Sequence, residues 1–149
     1  MVALKLPPTF FLELVRLCRD LEGTTKRTEK IALMGALLKR LAPEEIAEAT
    51  LFLSGKAFPE SDPRVLEVSY ATIAEAGRNL GQARLTESPL TIREVYQTLE
   101  KIAEASGLNS RARKLGLLQT LLTQASPLET EFLTRMILGE MRIGVVEGV

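Results

Sequence analysis

Residues 107–139 read GLNSRARKLGLLQTLLTQASPLETEFLTRMILG. An apolar run with helical spacing follows a basic start. Proline at 127 then opens a second such run, and glycine closes it at 139. Shifted by 84 positions, residues 23–55, GTTKRTEKIALMGALLKRLAPEEIAEATLFLSG, lie on this stretch without a gap, and ten of 33 positions are identical. The identities include Gly23/Gly107, Arg27/Arg111, Lys30/Lys114, Pro43/Pro127, Glu45/Glu129 and Gly55/Gly139. Shared helical bias produces matched leucines easily. It less easily places glycines, prolines and basic residues in one register, so a duplicated helix pair is expected.

The flanking sequence fits the same fold class. Phe11, Leu14, Val15, Cys18 and Leu21 recur at helical spacing after Pro7-Pro8-Thr9, and Gly23 ends that helix. A second helix is expected from about Thr25 to Leu41, and a third from Pro43 to near Gly55. Asp62-Pro63 reads as the cap and first position of a fourth, reaching about Gly77. Residues 78–89 read as a connector. Thr91-Ile92-Arg93-Glu94 and Ser126-Pro127-Leu128-Glu129 have the spacing of capping boxes, and another helix spans about Asn109 to Ala125. No alternating run suggests a sheet. The expectation is an all-α domain with internal pseudo-symmetry, its halves at about 9–56 and 91–144.

Composition narrows the chemistry. The chain has 149 residues, enough for one well-buried core. It has no histidine and one cysteine, which excludes imidazole catalysis, an internal disulfide and a zinc knuckle. No run approaches the ~20 apolar residues of a membrane helix. The N-terminus lacks the pattern of a signal peptide. A soluble, cytoplasmic domain that does not associate with membranes is expected. Cys18, on an apolar helix face, reads as a core thiol.

Nineteen basic and nineteen acidic residues cancel overall, but not locally. Residues 23–41 carry Lys26, Arg27, Lys30, Lys39 and Arg40 against Glu29 alone, a net +4. Residues 107–126 carry Arg111, Arg113 and Lys114 with no acid, a net +3, which leaves −7 for the rest. Both copies start their second helix with basic residues, Lys26, Arg27 and Lys30 in one and Arg111, Arg113 and Lys114 in the other, where the helix dipole favours acids. Free N–H groups at a helix start bind phosphate, and adjacent cations strengthen the site. The alternative is a solvated face, with some cations paired to acids on neighbouring helices.

Gly107-Leu108-Asn109-Ser110-Arg111-Ala112-Arg113-Lys114, Ser126-Pro127-Leu128-Glu129 and Ile137-Leu138-Gly139-Glu140-Met141-Arg142-Ile143-Gly144 together resemble the N-terminal DNA-binding domain of ATP-dependent DNA ligases. Phe11-Leu12-Glu13-Leu14-Val15, residues 24–30, Leu53-Ser54-Gly55-Lys56 and Leu90-Thr91-Ile92-Arg93-Glu94-Val95 fit the same domain. The resemblance is to the bacterial or archaeal type and is weakest from Phe58 to Ser88.

The resemblance implies a domain that grips nicked duplex DNA without reading sequence, mostly through phosphates and helix starts in the minor groove. In the family it works with nucleotidyltransferase and OB-fold domains C-terminal to it. Residues matching the family's DNA contacts are Gly139, Arg142, Gly144, Asn109, Ser110, Arg111 and Lys114. Thr25, Lys26, Arg27 and Lys30 are their counterparts in the first half. Glu140 stands where relatives often have lysine.

The family's nucleophile is the lysine of Lys-x-Asp-Gly, and none of the seven lysines here begins that motif. No catalytic residue, metal site or cofactor is therefore expected in this chain. ATP and magnesium are implied for a larger parent enzyme of DNA replication, repair and recombination. The expectation is that this chain is an inactive piece of that parent. The competing reading is a HEAT-like interaction module, whose repeats of roughly 40–47 residues would also fit an 84-residue shift.

Overall fold

The computed structural model describes residues 8–78 and 89–141. Seven helices run through these residues: α1 Phe11–Glu22, α2 Arg27–Leu38, α3 Pro43–Leu53, α4 Tyr70–Arg78, α5 Ile92–Glu104, α6 Ser110–Gln124 and α7 Pro127–Ile137. The fold is all-α. Its only β feature among the described residues is a bridge between Phe10 and Thr91.

That bridge joins the starts of two helices. The Phe11 N–H donates to the Leu90 carbonyl at 2.8 Å, and the Ile92 N–H donates to the Thr9 carbonyl at 3.0 Å. First-turn amides lack partners within their own helix. Here α1 and α5 each satisfy one for the other. The Thr91 hydroxyl accepts from the Glu94 amide at 3.1 Å. At α7 the expected capping box is reciprocal: Ser126 N–H to Glu129 at 2.9 Å, Glu129 N–H to Ser126 at 3.3 Å. Glu45 does the same for the Ala42 amide at 3.1 Å. Its carboxylate also takes the Thr9 amide at 2.7 Å and the Thr9 hydroxyl at 3.1 Å, which ties the chain entering α1 to α3.

Helix α1 packs on α2, α5 and α7, while α5 packs on α1, α3 and α6. These pairings map onto themselves when α1, α2 and α3 are exchanged for α5, α6 and α7. Helix α4 packs on α6 outside that scheme. A solenoid would stack each unit on the next. Here α1 closes on α7 and α3 closes on α5, which is not the HEAT arrangement.

The core between them is apolar: Phe11, Phe52, Phe132, Leu21, Leu99 and Ile102 are fully buried. Phe11 meets Phe52 edge-on with ring centroids 6.1 Å apart. Cys18 lies in this core, where burial and the nearby Glu22 push its thiol up to about 12. Such a thiol stays protonated and inert at neutral pH.

The α1–α7 seam ends in charge. Arg135 holds Glu22 through two hydrogen bonds, 2.7 and 3.1 Å. Arg19 pairs with Glu131. Both guanidiniums lie over the Phe132 ring, 5.3 Å away for Arg19 and 4.8 Å for Arg135.

Helix boundaries differ from the sequence expectation in one important place. Asp62-Pro63 does not open a helix. The Asp62 carboxylate accepts from the Arg64 amide at 3.0 Å and from its guanidinium at 2.7 Å. Arg64 then reaches Glu100 at 3.0 Å and Glu104 at 3.3 Å on α5, over the Phe58 ring. Residues 63–69 are thus a non-helical strap, and Glu67 has a left-handed φ of 49° that no helix accommodates. Helix α4 starts only at Tyr70. Ser69 caps it, its hydroxyl accepting from the Thr72 amide at 3.3 Å. Helix α2 is also shorter than expected at both ends.

Candidate nucleic-acid interface

Two glycine-led turns and two basic helix starts make up the sequence-predicted site. The turn before α6 is left-handed twice, at Gly107 (φ 79°) and Asn109 (φ 67°). Asn109 occupies the N-cap position, yet its side chain caps nothing. Asparagine tolerates this conformation better than most residues. Leu108 between them is 91% exposed, the most exposed large apolar residue described.

Beyond the turn, Ser110, Arg111 and Lys114 line one recess of about 300 Å³ with Ser69 and Thr72 of the α4 start. The Arg111 guanidinium is 65% exposed and pairs with Glu75 of α4 at 2.8 Å. Such an exposed pair contributes at most about 1 kcal/mol, so a phosphate can displace the carboxylate. Lys114 is different. Only 8% exposed, it donates from Nζ to the carbonyls of Leu66 (2.8 Å) and Glu67 (3.4 Å). Its stem crosses the α4–α6 seam, and its ammonium fastens the strap.

The strap links this recess to the turn after α7. Leu66 lines a second recess with Lys56, Arg64, Ile137 and Gly139. Gly139 is exposed and left-handed (φ 72°), and the Glu140 amide returns to the Arg135 carbonyl at 2.7 Å, closing α7. Gly55, at the corresponding end of α3, is left-handed too (φ 81°). A Cβ there would stand 2.8 Å from the Met141 carbonyl, so only glycine lets the chain leaving α7 run across it. Arg142 and Gly144 lie outside the described residues.

The α2 start has its own arrangement. Lys26 is the N-cap residue and caps nothing with its side chain. The Thr24 hydroxyl instead accepts from the Lys26 amide at 3.2 Å and donates to Glu29 at 2.6 Å. Lys26 pairs loosely with Glu29 at 3.7 Å. Thr25 and Arg27 are exposed, and Lys30 is half-buried. Helix α2 leans on α1, and α6 on α4 and α5, so the two basic starts rest on different neighbours. Sequence reasoning had no sight of Glu75, Ser69, Thr72 or the Leu66–Glu67 carbonyls. Of these only Ser69-x-x-Thr72 carried a local signal, that of a helix cap.

Comparison with known families settles the kind of domain this is. The family model described as DNA ligase N terminus matches residues 71–149. The chain belongs to the DNA ligase N-terminal family. It is 37% identical to DNA ligase 1 of Korarchaeum cryptofilum over 92% of this chain and 30% of that protein. It is also 37% identical to the DNA ligase of Thermococcus onnurineus, over 93% of this chain and 30% of the relative. The Methanothermobacter thermautotrophicus DNA ligase is 30% identical over the same shares. The chain thus spans about 30% of the length of these DNA ligases. Among its described residues, no helix is long and apolar enough to cross a membrane.

Proposed function

We propose that this ligase N-terminal domain holds duplex DNA by its phosphate backbone, on either side of a nick, for a parent enzyme that seals it. The observation that carries this reading is the recess at the α6 start. It gathers Arg111, Lys114 and the Ser110 hydroxyl beside an uncapped helix N-terminus, with Glu67 and the mutually bonded Ser69 and Thr72 hydroxyls also lining it. Cation, hydroxyl and free amide together suit a phosphate oxygen.

Arg111 supplies the exposed contact, while Lys114 lends its charge and keeps the strap in place. Asn109 and Ser110 present the turn. Gly139, which shares a recess with Leu66 of the strap, supplies a second contact, and the resemblance assigns Arg142 and Gly144 to the same contact. Thr25, Lys26, Arg27 and Lys30 serve the same purpose at the α2 start. The two halves, 9–56 and 91–144, are read as copies of one unit. In support, α3 and α7 keep the same bounds under the 84-residue shift, 43–53 and 127–137. Against strict equivalence, Gly23 is right-handed (φ −79°) where Gly107 is left-handed.

The catalytic lysine, ATP and magnesium belong to other domains of the parent, which works in replication, repair and recombination in the cytoplasm. Binding of two duplexes of unrelated sequence, each intact and nicked, tests the proposal. Similar affinity for both sequences is expected, because phosphates carry no sequence information directly. A strong preference for one sequence, or no binding to any duplex, contradicts it.

A further inference from the structure

Helix α6 has a second basic flank. Arg111 and Lys114 face α4, but Arg113 is two residues on from Arg111, about 200° round the helix. There, between α5 and α6, Lys101, Arg113, Gly116, Leu117 and Thr120 line a separate recess of about 350 Å³. Lys101 and Arg113 are both exposed, and neither has an ion-pair partner among the described residues. The reason is visible nearby. Glu100 and Glu104, the acids flanking Lys101 on α5, are taken by Arg64 at 3.0 and 3.3 Å, and α6 carries no acid at all.

The floor of the recess is also unusual. Glycine is the poorest helix former after proline, yet Gly116 sits mid-helix. No packing requires it, since a Cβ there would meet nothing within 4 Å. The Thr120 hydroxyl is spent on the Gly116 carbonyl at 3.0 Å, which leaves the two cations as the groups able to bind an incoming ligand.

From this geometry we infer that the α5–α6 recess is a further phosphodiester site, in which Lys101 and Arg113 grip one stretch of DNA backbone and Gly116 lets it approach α6 closely. The inference rests on the proposed duplex binding and extends it to the opposite flank of α6.

Salt-dependent duplex binding by the whole chain tests it. Each lost phosphate contact flattens the slope of log K against log salt by about 0.9, so Lys101→Ala with Arg113→Ala should flatten it by about 1.8. Arg16→Ala with Lys39→Ala removes the same charge elsewhere and should change the slope by well under half as much. Gly116→Leu should weaken binding severalfold with helix content unchanged. An unchanged slope in the Lys101/Arg113 variant, or equal flattening in the Arg16/Lys39 control, overturns the inference.

A titration of the isotope-labelled chain with inorganic phosphate separates this site from the wider reading. Amide shifts at Arg113 and Gly116 that vanish in Arg113→Ala support the recess even if duplex binding fails. If the chain binds neither duplex nor phosphate, both readings fall.

Discussion

Lys114 donates its ammonium to the Leu66 carbonyl at 2.8 Å, across 48 residues of sequence. This bond makes the basic start of α6 and the strap before α4 one structural unit. A buried ammonium without an acid partner must spend its N–H bonds on carbonyls, because an unpaired buried charge is costly. Replacing Lys114 with Met keeps the stem and removes both bonds. We expect a loss of about 1–3 kcal/mol in chemical unfolding. Hydrogen exchange should speed up at residues 66–72 more than in α1.

The α1–α7 seam joins a buried aromatic ring to two cations. Phe132 is fully buried and carries two guanidiniums on its ring. Phe132→Ala should cost about 3–5 kcal/mol, read from the denaturation midpoint. Glu131→Gln, on the exposed side of the same seam, should cost under about 1 kcal/mol.

Acid should loosen this seam through Glu22. The Arg135 hydrogen bonds hold the Glu22 carboxyl below its ordinary range, with smaller help from the Arg135 and Arg19 charges. A folded-state value below the unfolded one means that this stabilisation is full above the unfolded value, about 4.3, and is lost as pH falls through the folded value. Glu48 has the opposite sign. Its burial outweighs Arg93 and raises its value, so its protonation relieves strain as pH falls from neutrality. Arg135→Met should therefore flatten the fall in melting temperature below about pH 4 and leave the neutral region parallel to the unmodified chain.

Glycines separate into those that the backbone needs and those it does not. Gly55→Ala forces a side chain into a left-handed residue and against the Met141 carbonyl, so about 1–3 kcal/mol should be lost. Gly35 sits inside α2 with nothing near its Cβ position, and Gly35→Ala should gain up to about 1 kcal/mol. Thermal unfolding of the two variants, run side by side, checks both signs.

The chain should not become adenylylated, because no lysine here begins Lys-x-Asp-Gly. Incubation with labelled ATP and magnesium should leave it unlabelled. Stoichiometric labelling would place a nucleophile where none is expected.

Local chemistry made much of the fold legible. Pro43 and Pro127 at first helical positions set the starts of α3 and α7, and Ser126 with Glu129 caps as its spacing predicts. Where the sequence misled, two local signals competed. Asp62-Pro63 resembles a helix start, but Arg64 draws Asp62 into a turn because Glu100 and Glu104 wait on α5. Those acids lie 36 and 40 residues away, and no local pattern announces them. The site shows the same division. The basic starts at Arg27 and Arg111 were visible, whereas Glu75 beside Arg111 and the carbonyls beneath Lys114 come from tertiary contacts.

The most direct measurement is the salt dependence of duplex binding by the chain and by Arg111→Ala. If Arg111 releases Glu75 and takes a phosphate, the slope of log K against log salt should flatten by about 0.9, equally for two unrelated duplexes. Duplex binding with an unchanged slope would show that Arg111 and Glu75 merely pair on a solvated face, and that the α6 start is not a phosphate site.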